Sequence, residues 1–290
     1  MKYTYYPGCS LRGTGCAYEE SLLEVFRALA VEVQELEDWN CCGATTYLSV
    51  DELTSYALAA RNLALAELAE MDIIAPCAAC YLVLNKTQRY IRDYPDIKLV
   101  VSRALDAIGL RYSERVRVRH PLEVLLNDIG VKAITAKVKC QLNGLKVAPY
   151  YGCQIVRPYA IFDDQRNPIS MDRLLEACGA KVVDYSLKTR CCGGSQKGML
   201  PEVGLDLIHR LLSEAQKKGA EVIATVCPLC QFNLECFQKE AKNHHAISMP
   251  VLYFSQLMAV ALGASAKSVG LQRSLVPIEP VLAAKEISYV

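Results

Sequence analysis

The chain alternates short apolar runs with longer amphipathic stretches, and it does so twice. Tyr3-Thr4-Tyr5-Tyr6 favours a strand ending at Gly8-Cys9. Helical periodicity follows from about Glu19 to Ala30, and Val31 to Leu36 then alternates as a strand would. A long helix is expected from Glu52 to Met71, a short buried strand over Asp72 to Pro76, and a helix carrying Cys80 on to about Arg92. The second half repeats this order. Val147 to Tyr151 reads as a strand, Met171 to Cys178 as a helix and Ala180 to Tyr185 as a second strand. Pro201 to Lys218 carries an apolar stripe at Val203, Leu207, Ile208, Leu211, Leu212 and Ala215, with Gly219 as the stop. Glu221 to Val226 is the next strand. Further on, Val118 to Leu126 resembles Val251 to Ala259, and Gly130 matches Gly263.

Strands alternating with helices of these lengths predict parallel βαβ units. The expected fold is α/β, with two pseudo-symmetric lobes, each a small parallel sheet flanked by helices. The expected divisions are 1–140, 141–265 and a tail over 266–290. The tail holds Pro277 and Pro280 without a clear period, and is expected to wrap a lobe or reach a partner.

Composition narrows the class. Hydrophobic residues make up 52% of the 290 and charged ones 22%, a globular profile. The formal net charge of +1 gives no sign of nucleic-acid or membrane-surface binding. No apolar run is long enough to span a bilayer, and the N-terminus lacks the run of a signal peptide, so a cytoplasmic location is expected. In a reducing compartment, clustered cysteines are more often metal ligands or redox groups than disulfides.

Ten of the fourteen cysteines fall into two copies of one spacing. Cys9, Cys41-Cys42, Cys77 and Cys80 read C-x31-CC-x34-C-x2-C; Cys153, Cys191-Cys192, Cys227 and Cys230 read C-x37-CC-x34-C-x2-C. The lone cysteine and the first of each C-x2-C pair fall at the carboxyl end of an expected strand, the edge where open α/β sheets place their sites. In each pair the second thiol lies within the first helical turn, on the same face as the first. The free N–H groups of that turn favour thiolate, and Pro228 suits the first helical position. The doublets need a tight turn, for which Gly43 and Gly193-Gly194 supply the freedom. Several soft thiolates from separate parts of the chain suit an iron–sulfur site. Zinc takes four ligands and leaves the fifth thiol unexplained, but zinc and a dithiol relay stay open here. Cys16, Cys140, Cys178 and Cys236 have no counterpart in the repeat and read as small apolar or surface residues, Cys16 being the one near a ligand. His120, before Pro121 at a strand end, reads as structural, and His244-His245 as a solvated loop.

These two five-cysteine motifs resemble the CCG-type cysteine-rich domains of the heterodisulfide reductase B-subunit family. So do Tyr6-Pro7-Gly8-Cys9, Asn40-Cys41-Cys42-Gly43, Ala59-Ala60-Arg61-Asn62-Leu63 and Ser255-Gln256-Leu257. The likeness runs from about Lys2 to Gly263. It implies two noncubane [4Fe–4S] clusters, one held by Cys9, Cys41, Cys42, Cys77 and Cys80, the other by Cys153, Cys191, Cys192, Cys227 and Cys230. It further implies disulfide reduction at a cavity between the clusters, each taking one sulfur, with two thiols released. Electrons would come from a C-subunit-like protein with cubane [4Fe–4S] clusters, fed by an A-subunit-like flavoprotein, in some members as part of electron bifurcation. The stretch from Gly8 to Cys16 and the short glycine run after the second doublet look more like bacterial members than methanogen ones. An anionic disulfide would want cations, for which Arg12, Arg157, Lys188, Arg190 and Lys197 are candidates. The alternative is a CCG electron-transfer component of another enzyme, a succinate/fumarate or hydroxyacid oxidoreductase linked to a quinone. A zinc-bound module without redox activity is the third reading.

Overall fold

The computed structural model describes residues 1–44, 46–241 and 247–289. Its strands are β1 (Lys2–Tyr5), β2 (Glu32–Glu35), β3 (Ile73–Ile74), β4 (Val118–Arg119), β5 (Lys146–Tyr150), β6 (Lys181–Val182), β7 (Val222–Thr225) and β8 (Val251–Tyr253). The helices of the first repeat are α1 (Gly8–Leu11), α2 (Cys16–Ala28), α3 (Thr46–Val50), α4 (Glu52–Leu68), α5 (Ala78–Asp93), α6 (Pro95–Asp106), α7 (Pro121–Glu123) and α8 (Val131–Thr135). Those of the second are α9 (Ser170–Ala177), α10 (Pro201–Lys217), α11 (Pro228–Cys236) and α12 (Phe254–Ala261), with α13 (Glu279–Ala284) in the tail. His244-His245 lie outside the described residues.

The strands form two four-stranded parallel sheets, ordered β2-β1-β3-β4 and β6-β5-β7-β8. The fold is thus α/β with a doubled sheet topology, as the repeat predicts. The first and third strands of each repeat are central, and they deliver the lone cysteine and the C-x2-C pair side by side. Tyr5 stands opposite Ile74 in one sheet, and Tyr150 opposite Thr225 in the other. Residues of β7 are buried throughout, as a strand covered on both faces requires.

By packing, the chain divides into one unit of residues 1–12 and 31–121 and another of 13–30 and 122–290. In the first unit, α4, α5 and α6 enclose a core of Tyr56, Ala60, Ala64, Ile91, Val101 and Leu105. The sequence predicts only a connector where α6 forms. That helix starts at Pro95, whose fixed φ suits the first helical position, after the extended Tyr94. Asp51 caps α4 by accepting from Thr54 N at 3.2 Å.

In the second unit α2 packs on α12. The rings of Tyr18 and Tyr253 stack at 4.5 Å, and Ser21 Oγ meets Ser255 Oγ at 2.6 Å. So α2 follows the lone cysteine of the first repeat but packs among elements of the second. The tail closes over this unit: Leu275 N donates to Glu235 Oε1 at 2.9 Å, Ala266 N to Tyr289 O at 2.9 Å, and Leu282 is buried. On α10 the stripe faces inward at Ile208, Leu211, Leu212 and Ala215, but Val203, at the helix start, is 48% exposed. No helix among the described residues is long and apolar enough to cross a membrane.

Candidate metal centres

Each repeat gathers its five thiols at the carboxyl edge of its sheet. All fourteen cysteines are free thiols. In the first set Cys41 Sγ lies 3.9 Å from Cys9 Sγ, and Cys42 Sγ lies 3.3 Å from Cys80 Sγ. Cys41 also bonds Cys42, and Cys80 bonds Cys77, which completes a chain of sulfur contacts 9–41–42–80–77. The second set repeats that order: Cys153 to Cys191, Cys191 to Cys192, Cys192 to Cys230 and Cys230 to Cys227. Cys42, Cys77 and Cys80 are buried while Cys9 and Cys41 are exposed; in the second set Cys192, Cys227 and Cys230 are buried and Cys191 is exposed. Each set is therefore walled on one side and open at the first cysteine of its doublet.

Local sequence explains the placement. Cys77 and Cys227 are extended N-cap residues of α5 and α11, so Cys80 and Cys230 fall in the first turn. Gly43 and Gly193 turn the chain after each doublet at φ +76° and +79°, a region that favours glycine. The turns aim N–H groups at sulfur: Gly193 N donates to Cys191 Sγ at 3.3 Å and Gly194 N to Cys192 Sγ at 3.4 Å. Gly8 and Gly152 let the backbone approach the sets, since a Cβ there would sit 2.9 Å from Cys80 Sγ and 3.1 Å from Cys230 Sγ.

Within each set, a thiol that donates to a neighbour favours the thiolate form of that neighbour. Hydrogen bonds from Cys41, then Cys80, hold Cys42 well below the ordinary thiol range. Bonds from Cys153 and Cys192, the Gly193 N–H and the charge of Arg157 bring Cys191 down to about 2. The donors Cys41 and Cys153 are raised for the same reason.

Two tyrosines not singled out by the cysteine pattern complete the arrangement. Tyr6 Oη donates to Asn40 O at 2.8 Å, and Tyr150 Oη to Arg190 O at 2.6 Å. Each thereby ties the residue before its doublet. Burial, then the adjacent thiolates, raises both phenols out of the titrating range. A signal for them exists in the sequence: a tyrosine stands three residues before the lone cysteine in both copies. Asn233 Nδ2 donates to Cys192 O at 2.6 Å, and nothing in the repeat marks it.

The candidate cations lie in different settings. Arg12 pairs with Glu35. Lys188 is buried, donating to Pro168 O at 2.7 Å and standing 3.4 Å from Asp172. Lys197 pairs with Glu240 at 3.3 Å and lies over the Phe237 ring at 4.3 Å. Arg190 is exposed. Arg157 links the lone-cysteine and doublet segments of the second set through its own backbone and side chain: its backbone N–H donates to Cys153 O at 3.0 Å and its guanidinium to Thr189 O. Cys16 opens α2 in the second unit, and Cys178 is buried there with its thiol pushed up to about 12 by burial. Cys140 and Cys236 are half-buried. His120 is buried, with Nε2 3.0 Å from Pro76 O, as a structural histidine would be.

The CCG cysteine-rich domain matches twice, over residues 3–85 and 147–235. The chain is 30% identical over 282 residues to the B subunit of the ferredoxin:CoB-CoM heterodisulfide reductase of Methanosarcina mazei, covering 95% of this chain and 94% of that one. The chain belongs to the heterodisulfide reductase B-subunit family. Its cysteine sets are thus those of two CCG domains. It is also 31% identical over 279 residues to the 8-methylmenaquinol:fumarate reductase membrane anchor subunit of Wolinella succinogenes, covering 95% of this chain and 97% of that protein. Its fold matches a hypothetical protein from Helicobacter pylori at a TM-score of 0.76 and 13% identity, over 95% of this chain and 52% of the other.

Proposed function

We propose that each thiol set holds a noncubane [4Fe–4S] cluster and that the chain is the catalytic component of a heterodisulfide reductase-like complex, reducing a disulfide to two thiols. The observation that carries this reading is the same chain of five contacting thiols in both repeats. The donor set fits the group: ten soft sulfurs, six of them buried, with N–H donors facing the doublets. Among the described residues no three or more His, Cys, Asp and Glu side chains are disposed to hold a single metal ion. A multinuclear centre uses five thiols where one tetrahedral ion uses four. Each such cluster, when bound, supplies reversible one-electron storage.

The chain's own groups do the rest. The buried thiols anchor, and the exposed Cys41 and Cys191 leave one side of each set open to an incoming sulfur. Tyr6 and Tyr150 hold the doublets in place by their hydroxyl bonds. Arg157, at the rim of the second set, offers a charge for an anionic substrate, and Arg190 a second. Lys188 and Lys197, each already paired, and Arg12, held by Glu35, contribute mainly to local structure. The electron donor we assign is a C-subunit-like protein with cubane clusters, fed by an A-subunit-like flavoprotein, in the cytoplasm. The Wolinella relative supports a second reading, in which the same clusters relay electrons for a quinone-linked fumarate reductase.

Anaerobic purification with iron and acid-labile sulfide counts, followed by EPR after thiol addition, tests the proposal. Two clusters and a thiol-dependent signal are expected. Zinc without iron or sulfide would end it. Cys41→Ala is expected to halve the iron while the second set stays loaded. Turnover with a quinol and none with disulfides would favour the second reading.

A further inference from the structure

The two thiol sets share their contact order but not their charged neighbours. Before the doublet stands Asn40 in the first set and Arg190 in the second; four residues after the lone cysteine stand Gly13 and Arg157. The cation nearest in sequence to Cys9 is Arg12, whose charge is offset by the Glu35 carboxylate. Lys188 is likewise offset by Asp172 at 3.4 Å. Arg157 is held by neutral groups. Its N–H bonds Cys153 O at 3.0 Å and its guanidinium bonds Thr189 O, so it bridges the lone-cysteine segment and the doublet segment, and among the described residues no carboxylate pairs with it. Backbone N–H donors face the doublets of both sets, through Gly43 and Ala44 in one and Gly193 and Gly194 in the other, and do not distinguish them.

An electron added to an iron–sulfur site adds negative charge, and a nearby cation lowers its energy. We propose that Arg157 makes the centre of the second thiol set the more easily reduced of the two, so that the first electron received comes to rest there. The inference rests on the iron–sulfur reading above. The step is a one-electron transfer: a cubane-cluster donor is oxidised, the second centre is reduced, and no bond forms or breaks.

The test uses the anaerobically purified full chain, with iron and sulfide matched to wild type, in a reductive titration followed by EPR. Two separate waves are expected. Arg157→Gln should lower the upper wave by about tenfold in the reduction equilibrium, ~59 mV for one electron, and leave the lower in place. Arg157→Lys, which keeps the charge, should shift it less. Cys41→Ala should remove the lower wave. Glu35→Gln, at an exposed carboxylate, frees the charge of Arg12 and should raise the lower wave without touching Arg157. The idea is overturned if Arg157→Gln leaves both waves in place, if Lys shifts as far as Gln, or if Cys41→Ala removes the upper wave. A chain without iron or sulfide would instead defeat the underlying functional reading, and the metal count separates the two failures.

Discussion

His120 shows how far a single residue can be read in advance. Its place before a proline at a strand end suggests structure rather than ligation, and its burial, its bond to Pro76 O and its edge contact with Tyr81 at 5.6 Å agree. Burial lowers its pKa from 6.5 to about 3. The unfolded chain therefore binds a proton between those values that the folded one refuses. The stability that neutral His120 contributes is fully present above pH 6.5 and falls as the pH drops through that window, by about 1.4 kcal/mol per unit. His120→Gln, which keeps a donor, should lose that slope. Urea denaturation at pH 7 and pH 5 is expected to show wild type losing about 2 kcal/mol more than the variant. Equal losses would place the titration elsewhere. Tyr6 and Tyr150 read first as core aromatics at strand ends, and only their shared place three residues before each lone cysteine marks them in the sequence.

At the scale of elements, the cysteine spacing translates directly into geometry. A thiol at a helix N-cap and another three residues on must share a face, which is why the C-x2-C pairs were legible. The strand-to-α1 turn is more demanding. Gly8 has φ +66°, and an added Cβ would meet Cys80 Sγ at 2.9 Å; Gly144 has the same φ with nothing near its Cβ position. Alanine at either costs about 1–2 kcal/mol of backbone strain. Only Gly8→Ala should also displace a thiol, so its loss of stability should be the larger and its iron content should fall, with Gly144→Ala fully loaded. Equal iron in the two variants would show that the close approach is dispensable. The helix α6 is hard to foresee because its buried residues, Val101 and Leu105, are few, and tertiary packing against α4 holds it.

At the scale of the molecule, the repeat and the packing divide the chain differently. Residues 13–30 belong by sequence to the first motif and by packing to the second unit. Tyr18 is fully buried against Tyr253 and Phe254. Tyr18→Ala should therefore cost about 3–5 kcal/mol. Hydrogen exchange should locate the loss in β8 and α12, with β1 and β3 still protected; loss confined to β1 and β3 would contradict the assignment of α2.

The primary structure carried the fold class, the doubled topology and the grouping of cysteines, because alternation, helical period and fixed spacing act over a few residues and both copies say the same thing. It could not tell that α2 leaves its own repeat, which unit the tail covers, or that Arg12 and Lys188 meet carboxylates while Arg157 meets backbone carbonyls. Those outcomes depend on which distant carboxylate, carbonyl or apolar face each group meets, and partners far apart along a chain become neighbours only once it has packed.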